Sequence, residues 1–269
     1  MVHGRGARLA LAAWSAAIVA FLALPIVLIA VYAFNPSNVQ SWPLHGLSTK
    51  WFSSTFANGE MRDALWLSVR AALIATTIAL VLGSLAAFAV HRFRFFGRET
   101  VSLVLVLPLA LPGIITGMAL NSLFAFGGID FSLVTIVVGH ATFCIVVVYN
   151  NVLARLRSTE GSLVEASMDL GADGWTTFRL VTLPLISTSL VAGGLLAFAL
   201  SFDEVIVTTF TAGAQNTLPL WIFGAIRLGQ RLPEVNVVVS FVILVTIIPV
   251  LIAARLTGGG GTSRVPAAR

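Results

Sequence analysis

The chain has 269 residues, of which 58% are hydrophobic and 10% charged; a soluble domain carries about 25% charged residues. The formal charge is +5, from 16 Lys+Arg against 11 Asp+Glu, and every one of those cations except Lys50 is arginine. A single cysteine, Cys144, excludes a disulfide framework and a cysteine-rich metal site, and the long apolar blocks point to a bilayer rather than to nucleic acid.

A span needs about 20 apolar residues, and the first such stretch is Leu9–Phe34. Arginines precede it and "VYA" at Val31–Ala33 has the form of a cleavage site, but the run exceeds the about 7–15 residues of a signal-peptide core, so it is read as a span. The second, Ala71–Val90, carries Ala75, Ala79, Gly83 and Ala87 every four residues, a small-residue seam for close helix approach. The third, Thr100–Ile129, contains Pro108, Pro112, Gly113 and Gly117, a backbone prone to break where neighbours satisfy the freed groups. The fourth is Phe131–Ala154, with His140 in its outer half, read first as a packed hydrogen-bonding group. Leu180–Phe202 and Val235–Ala254 complete the set. Val205–Ile226 is long enough for a seventh, but "AGAQNTLP" (Ala212–Pro219) interrupts it. It reads as an outer loop in which Pro219–Ile226 is a short interfacial or re-entrant helix.

The expectation is an all-α membrane protein of six transmembrane helices. With the N-terminus inside, the inner side carries 11 basic residues and the outer side 5, which places both termini in the cytoplasm. Residues 1–8 are then a short tail, 9–256 the transmembrane domain, and 257–269 a disordered tail opening on the glycine run Gly258–Gly261.

The longest inner loop, within residues 155–184, has internal order. "SLVEASMDL" (Ser162–Leu170) favours a helix, Gly171 can take the φ > 0 geometry that ends one, and Asp173 can cap a second. That second helix carries Trp175, Phe178 and Val181 on one apolar edge, and Pro184 then opens the fifth span as a first-turn proline. From the residues alone, this helix–turn–helix either folds onto the membrane domain or docks a partner.

The loop resembles the E-A-A motif of permease subunits in binding-protein-dependent ABC importers, in which E-A-A is followed after three residues by G and after nine more by I-x-L-P. The pattern falls on Glu165, Ala166, Ser167, Gly171, Val181, Leu183 and Pro184 with both spacings kept; Ser167 and Val181 replace an alanine and an isoleucine. The resemblance implies the type I ABC importer permease fold and a coupling helix seated on a cytoplasmic ATPase, with Trp175 and Phe178 in the docking surface. It also implies the partners: an ABC ATPase dimer holding ATP and magnesium, a second six-helix permease, and an extracytoplasmic solute-binding protein, assembled on a bacterial inner membrane. "LPLALPGIITG" (Leu107–Gly117) and "SFDEVIVTTFTAG" (Ser201–Gly213) are similar to stretches of the spermidine/putrescine class, implying a polyamine cargo. Relatives with this core are also expected to carry other small solutes.

Asp203 and Glu204 stand in an otherwise uncharged run, where each costs about 2.5–3.5 kcal/mol at mid-membrane. Counted from Pro184 along a helix, Asp203 lies about 28 Å in, toward the outer surface, where the cost is lower. On a continuous helix Glu204 shares a small or polar stripe with Gly193, Ala197, Ser201, Thr208 and Thr211, suited to a bundle interior or an aqueous path. Asp203 shares its side with Ala192, Leu196, Ala199 and Val207. Two close carboxylates resist joint ionisation, and the ammonium groups of a polyamine would compensate both. Glu204, Ser201 and Thr208 are therefore expected on a substrate path, with Asp203 bonded to a neighbouring helix or subunit. The plainer alternative is an interhelical ion pair or a cap at the outer end of the span, with Arg70 or Arg227 as the partner of a pair.

No H-E-x-x-H and no G-x-x-x-x-G-K-[ST] occurs. The chain is expected to bind no cofactor or metal and to hydrolyse no ATP by the P-loop route. The rivals are a secondary transporter in which Asp203 and Glu204 carry protons, and a non-transporting assembly protein in which they lock helices.

Overall fold

The computed structural model describes residues 4–159 and 162–258. Its elements in chain order are α1 (Arg5–Tyr32), α2 (Lys50–Ala57), α3 (Gly59–Arg92), α4 (Arg98–Ala110), α5 (Gly113–Phe126), α6 (Leu133–Ser158), α7 (Ser162–Asp169), α8 (Gly174–Thr177), α9 (Leu183–Phe202), α10 (Ile206–Thr211), α11 (Leu218–Arg227) and α12 (Leu232–Gly258). Among the described residues there is no strand. The chain divides into two compact units, one of residues 1–61 with 222–269 and one of residues 62–221.

Among the described residues four helices are long and apolar enough to cross a membrane, namely α1, α3, α6 and the continuous helix Gly174–Phe202; a fifth is counted if α4 and α5 form one broken span. The helix α12 is 27 residues long, and its part Leu232–Ile247 is apolar. Of the tail expected at 257–269, positions 257 and 258 are the last turn of α12 and the rest lies outside the described residues.

In the first unit α12 packs against α1 and α2, and Phe56 meets Phe241 edge-on at 5.4 Å. The Asn58 amide donates to Glu234 at 3.2 Å, and Arg231 pairs with Glu60 at 2.8 Å.

The second unit is organised around α6. Its start is fixed by reciprocal bonds in which the Ser132 N–H donates to the Thr135 hydroxyl at 2.8 Å and the Val134 N–H donates to the Ser132 hydroxyl. Its end carries Arg155 and Arg157, which suit the negative end of a helix dipole. Cys144, Val148, Tyr149 and Val152 are buried in the core that α6 forms with α3 and α9. The seam on α3 is part of this packing: Ala75, Ala79 and Ala87 are fully buried. A Cβ at Gly83 would lie 2.8 Å from the Ile145 carbonyl oxygen and 3.0 Å from the Tyr149 nitrogen. Both are helix backbone that cannot step aside. Gly83→Ala is therefore expected to cost about 1–3 kcal/mol through overpacking, read as a lower midpoint in detergent thermal unfolding; an unchanged midpoint would mean that α3 and α6 are free to separate.

The stretch expected as one third span is two helices bent by 103°. Leu111 is extended (φ −78°, ψ 142°), as the residue before a proline tends to be, and Pro112 caps α5. Pro184 is not at a free helix start either, because the helix is continuous from Gly174. The proline lacks an N–H and its ring crowds the preceding turn, and the turn before it, Phe178–Thr182, is a π-helix that widens to accept it.

Candidate functional site

The loop residues form an elbow. At the end of α7 the Gly171 N–H donates to the Met168 carbonyl at 2.9 Å and the Ala172 N–H to the Ser167 carbonyl at 3.1 Å, and Gly171 reverses the chain at φ +87°. Asp173 starts α8 by accepting from the Thr176 N–H at 2.7 Å, and hydrogen bonding to Thr176 holds its carboxyl below the usual carboxylate range. The Ser167 hydroxyl bonds the Thr177 hydroxyl at 3.1 Å, fastening the two arms. An alanine at 167 would leave that bond unmade, so the departure from E-A-A has a structural consequence that the motif alone did not signal.

Trp175 stacks on Phe178 (centroids 5.8 Å apart, planes 28° apart), and Phe178 meets Phe88 of α3 edge-on at 5.7 Å. Val181 does not continue this edge. It lines a separate depression with Leu163, Leu180 and Pro184, because the π-turn changes the number of residues per turn. Glu165, Ala166, Leu183 and Pro184 are exposed, while Trp175 is 68% and Leu170 89% exposed. The elbow thus presents an apolar surface beside a carboxylate. At its base Arg155 Nε donates to the Leu185 carbonyl at 2.9 Å, tying α6 to the start of α9.

At the other end of α9 the helix stops at the two carboxylates and resumes as α10. The stripe drawn through a continuous helix therefore needs correction. Gly193, Ala197, Ser201, Thr208 and Thr211 are all buried, and what they face is α6. The Cys144 thiol donates to the Ala197 carbonyl at 3.3 Å, and Thr135 of α6 donates to the Thr211 carbonyl at 2.7 Å. Ser201 and Thr208 are 2% and 0% exposed, so within this chain they line packed interior rather than an open surface.

His140 joins them. It is 1% exposed, with Nδ1 2.7 Å from the Ser201 hydroxyl and Nε2 2.8 Å from the Thr208 hydroxyl. The Thr208 hydroxyl also donates to the Glu204 carbonyl at 2.7 Å. A hydroxyl has one proton to give, so Thr208 must accept from Nε2–H, and Nδ1 must accept from Ser201. The result is a directed chain from Ser201 through His140 and Thr208 to Glu204, spanning the helix break. The sequence placed Ser201 and Thr208 on one stripe but held no signal that His140, on another helix, would sit between them.

The two carboxylates differ in their surroundings, and for Glu204 the capping alternative holds. The half-buried Glu204 accepts from the Val207 N–H at 2.9 Å and so caps α10, where a negative charge is favoured. Asp203 is exposed, on the side shared by the exposed Ala192, Leu196 and Ala199, and among the described residues its carboxylate has no hydrogen-bond or ion-pair partner. The bond to a neighbouring helix expected for Asp203 is absent among those residues. Neither carboxylate pairs with Arg70; among the described residues Arg231–Glu60 is the one ion pair.

Helix α10 is seated closely. A Cβ at Gly117 would lie 2.6 Å from the Phe210 ring, and one at Gly139 3.1 Å from Val207. Asn121 of α5 donates to the Phe210 carbonyl at 2.7 Å, so side chains of α5 and α6 satisfy carbonyls at the end of α10.

Residues 79–258 match the family described as "Binding-protein-dependent transport system inner membrane component". The chain is 36% identical over 232 residues to the putrescine transport system permease protein PotI of Escherichia coli, covering 83% of this chain and 82% of that protein. It is 35% identical over 251 residues to the spermidine/putrescine transport system permease protein PotC of Shigella flexneri, covering 91% and 94%. Among solved structures, a bacterial ABC transporter that imports the acidic polysaccharide alginate superposes with a TM-score of 0.68 at 17% identity, over 97% of this chain and 100% of that one. An amino acid ABC transporter superposes at 0.59 and 16% identity, over 77% and 96%. With the helical elbow and the broken apolar helices already in place, these matches identify the chain as a member of the inner membrane permease components of binding-protein-dependent transport systems, a multi-pass subunit of an ABC importer.

Proposed function

We propose that this chain is one of two permease subunits of a polyamine importer. It crosses the membrane six times, with α4–α5 as one broken span, α12 as the last, and both termini in the cytoplasm. The elbow from Glu165 to Pro184 docks a partner ATPase that holds ATP and magnesium, and an external binding protein delivers the cargo. The observation that carries the coupling role is the elbow itself: two arms locked by Gly171, Asp173 and the Ser167–Thr177 bond, with Trp175 and Leu170 left exposed. A rigid lever with an apolar contact face can transmit ATPase closure to α9, with which it is continuous. The polyamine reading draws on PotI and PotC, whose names give putrescine and spermidine/putrescine as their cargo. Asp203 supplies an uncompensated carboxylate and Glu204 a partly engaged one, with Ser201 and Thr208 behind them.

The test is purification of the tagged chain from its host in mild detergent, followed by uptake of labelled putrescine and spermidine into vesicles holding the recovered complex. The expected result is co-purification of an ATPase, a second permease and a binding protein, with ATP-dependent uptake that Glu165→Ala reduces at least tenfold. Uptake that collapses with the proton gradient and ignores ATP would replace this reading with the secondary transporter. ATP-dependent uptake of another solute alone would keep the importer and remove the polyamine.

A further inference from the structure

Behind the elbow lies a cavity of about 580 Å³ that the coupling role leaves unused. It is enclosed by the last turns of α3 and α6, the inner side of α7 and α8, and the first turn of α9. Its walls are apolar, including Phe88, Leu156, Met168, Phe178 and Ile186, and its volume falls in the about 300–1,000 Å³ range of sites that take small organic ligands. Its lining carries one guanidinium, Arg92, with the His91 imidazole beside it as a neutral hydrogen-bonding group, and Arg98 and Arg157 stand close to His91. Glu165 is the one acidic residue in the lining. An apolar chamber with a cationic rim, at the depth where two long apolar helices end, suits an anionic amphiphile.

We infer that this cavity binds one anionic phospholipid of the inner leaflet, its headgroup phosphate on Arg92 and His91 and part of an acyl chain against Phe88, Met168 and Ile186. The leaflet assignment rests on the orientation proposed above. A free phosphate would use the rim but not the chamber, and a neutral lipid the chamber but not the rim. Because Phe178 both lines the chamber and stacks on Trp175, a lipid here would stiffen the lever from behind, linking membrane composition to coupling.

The experiment uses the complete transporter in vesicles of phosphatidylcholine with or without phosphatidylglycerol, extracted in mild detergent and weighed intact by native mass spectrometry. Wild type is expected to retain one phosphatidylglycerol per copy of this chain, at least tenfold more than phosphatidylcholine at equal supply. Arg92→Gln, which weakens the rim, and Val164→Phe, which fills the chamber, are each expected to reduce that retention at least fivefold, and glycerol phosphate at millimolar concentration is expected not to compete. Equal retention of the two lipids, or retention unchanged in both variants, would overturn the proposal. So would competition by glycerol phosphate, which indicates a phosphate site alone. Loss of the lipid whenever the ATPase is present would assign the cavity to the ATPase instead. Thiol labelling of Arg94→Cys from each side of the membrane reads orientation separately; labelling from outside would overturn the leaflet assignment without touching the retention result.

Discussion

His140→Leu is expected to destabilise the chain by about 2–5 kcal/mol and to abolish uptake. The imidazole is fully enclosed, and its two nitrogens satisfy hydroxyls on α9 and α10, on either side of the helix break. Leucine nearly fills the volume but accepts and donates nothing. The Ser201 hydroxyl then lacks its acceptor and Thr208 the donor that approached it, and each buried polar group left unmatched costs about 1–3 kcal/mol. In lipid no water compensates readily. The measurement is thermal unfolding in detergent with uptake alongside. His140→Gln is the informative companion: its amide can offer one donor and one acceptor in nearly the same positions, so it is expected to recover at least half of the lost stability. If leucine is tolerated as well as glutamine, the chain of hydroxyls carries no structural load and α10 is held by its contacts with Gly117, Gly139, Asn121 and Thr135.

Neutralising the carboxylates is expected to separate two roles that share two adjacent positions. Asp203→Asn is expected to leave stability unchanged and to lower the maximal rate of polyamine uptake at least tenfold. Its carboxylate has no partner among the described residues, so its removal costs the fold nothing, while a divalent cation loses its counter-charge. Glu204→Gln keeps a side-chain oxygen for the Val207 N–H and is expected to fold normally with uptake lowered several-fold. Glu204→Ala removes that oxygen and is expected to lower stability by a further about 0.5–2 kcal/mol, the range for losing a helix-capping side chain. The paired readings are labelled-putrescine uptake and the unfolding midpoint of each variant. Unchanged uptake in both amide variants would mean that the carboxylates serve the helix break and never meet the cargo. Loss of stability in Asp203→Asn would mean that it is bonded to another subunit.

The class of the protein and the geometry of the elbow were legible in the sequence because each rests on local chemistry. Long uncharged runs mark membrane helices whatever they pack against. The elbow is written in short-range signals: Gly171 at a position that needs φ > 0, Asp173 three residues before the N–H it caps, and Ser162–Leu170 as a helix former. The small-residue seam on α3 was visible for the same reason, since its four-residue period needs no knowledge of the partner helix, and the partner proved to be α6.

What only the tertiary structure decided concerns groups far apart in the chain. Pro112 allowed a break in the third span, but the 103° bend depends on what α5 packs against, and it packs on α10. A helical wheel carried Glu204 onto the stripe of Ser201 and Thr208; it assumed a helix that in fact stops at Asp203, and periodicity has no means of reporting such a stop. The break is stabilised by Asn121, Thr135 and His140, which lie tens of residues away and reach α9 and α10 from α5 and α6. Sequence determined what kind of chain this is and that the elbow turns at Gly171, because backbone geometry and hydrophobicity act within a few residues. That His140 holds the helices on either side of the carboxylate pair was settled by long-range hydrogen bonds, since in a membrane interior each polar group must find its partner wherever the fold places one.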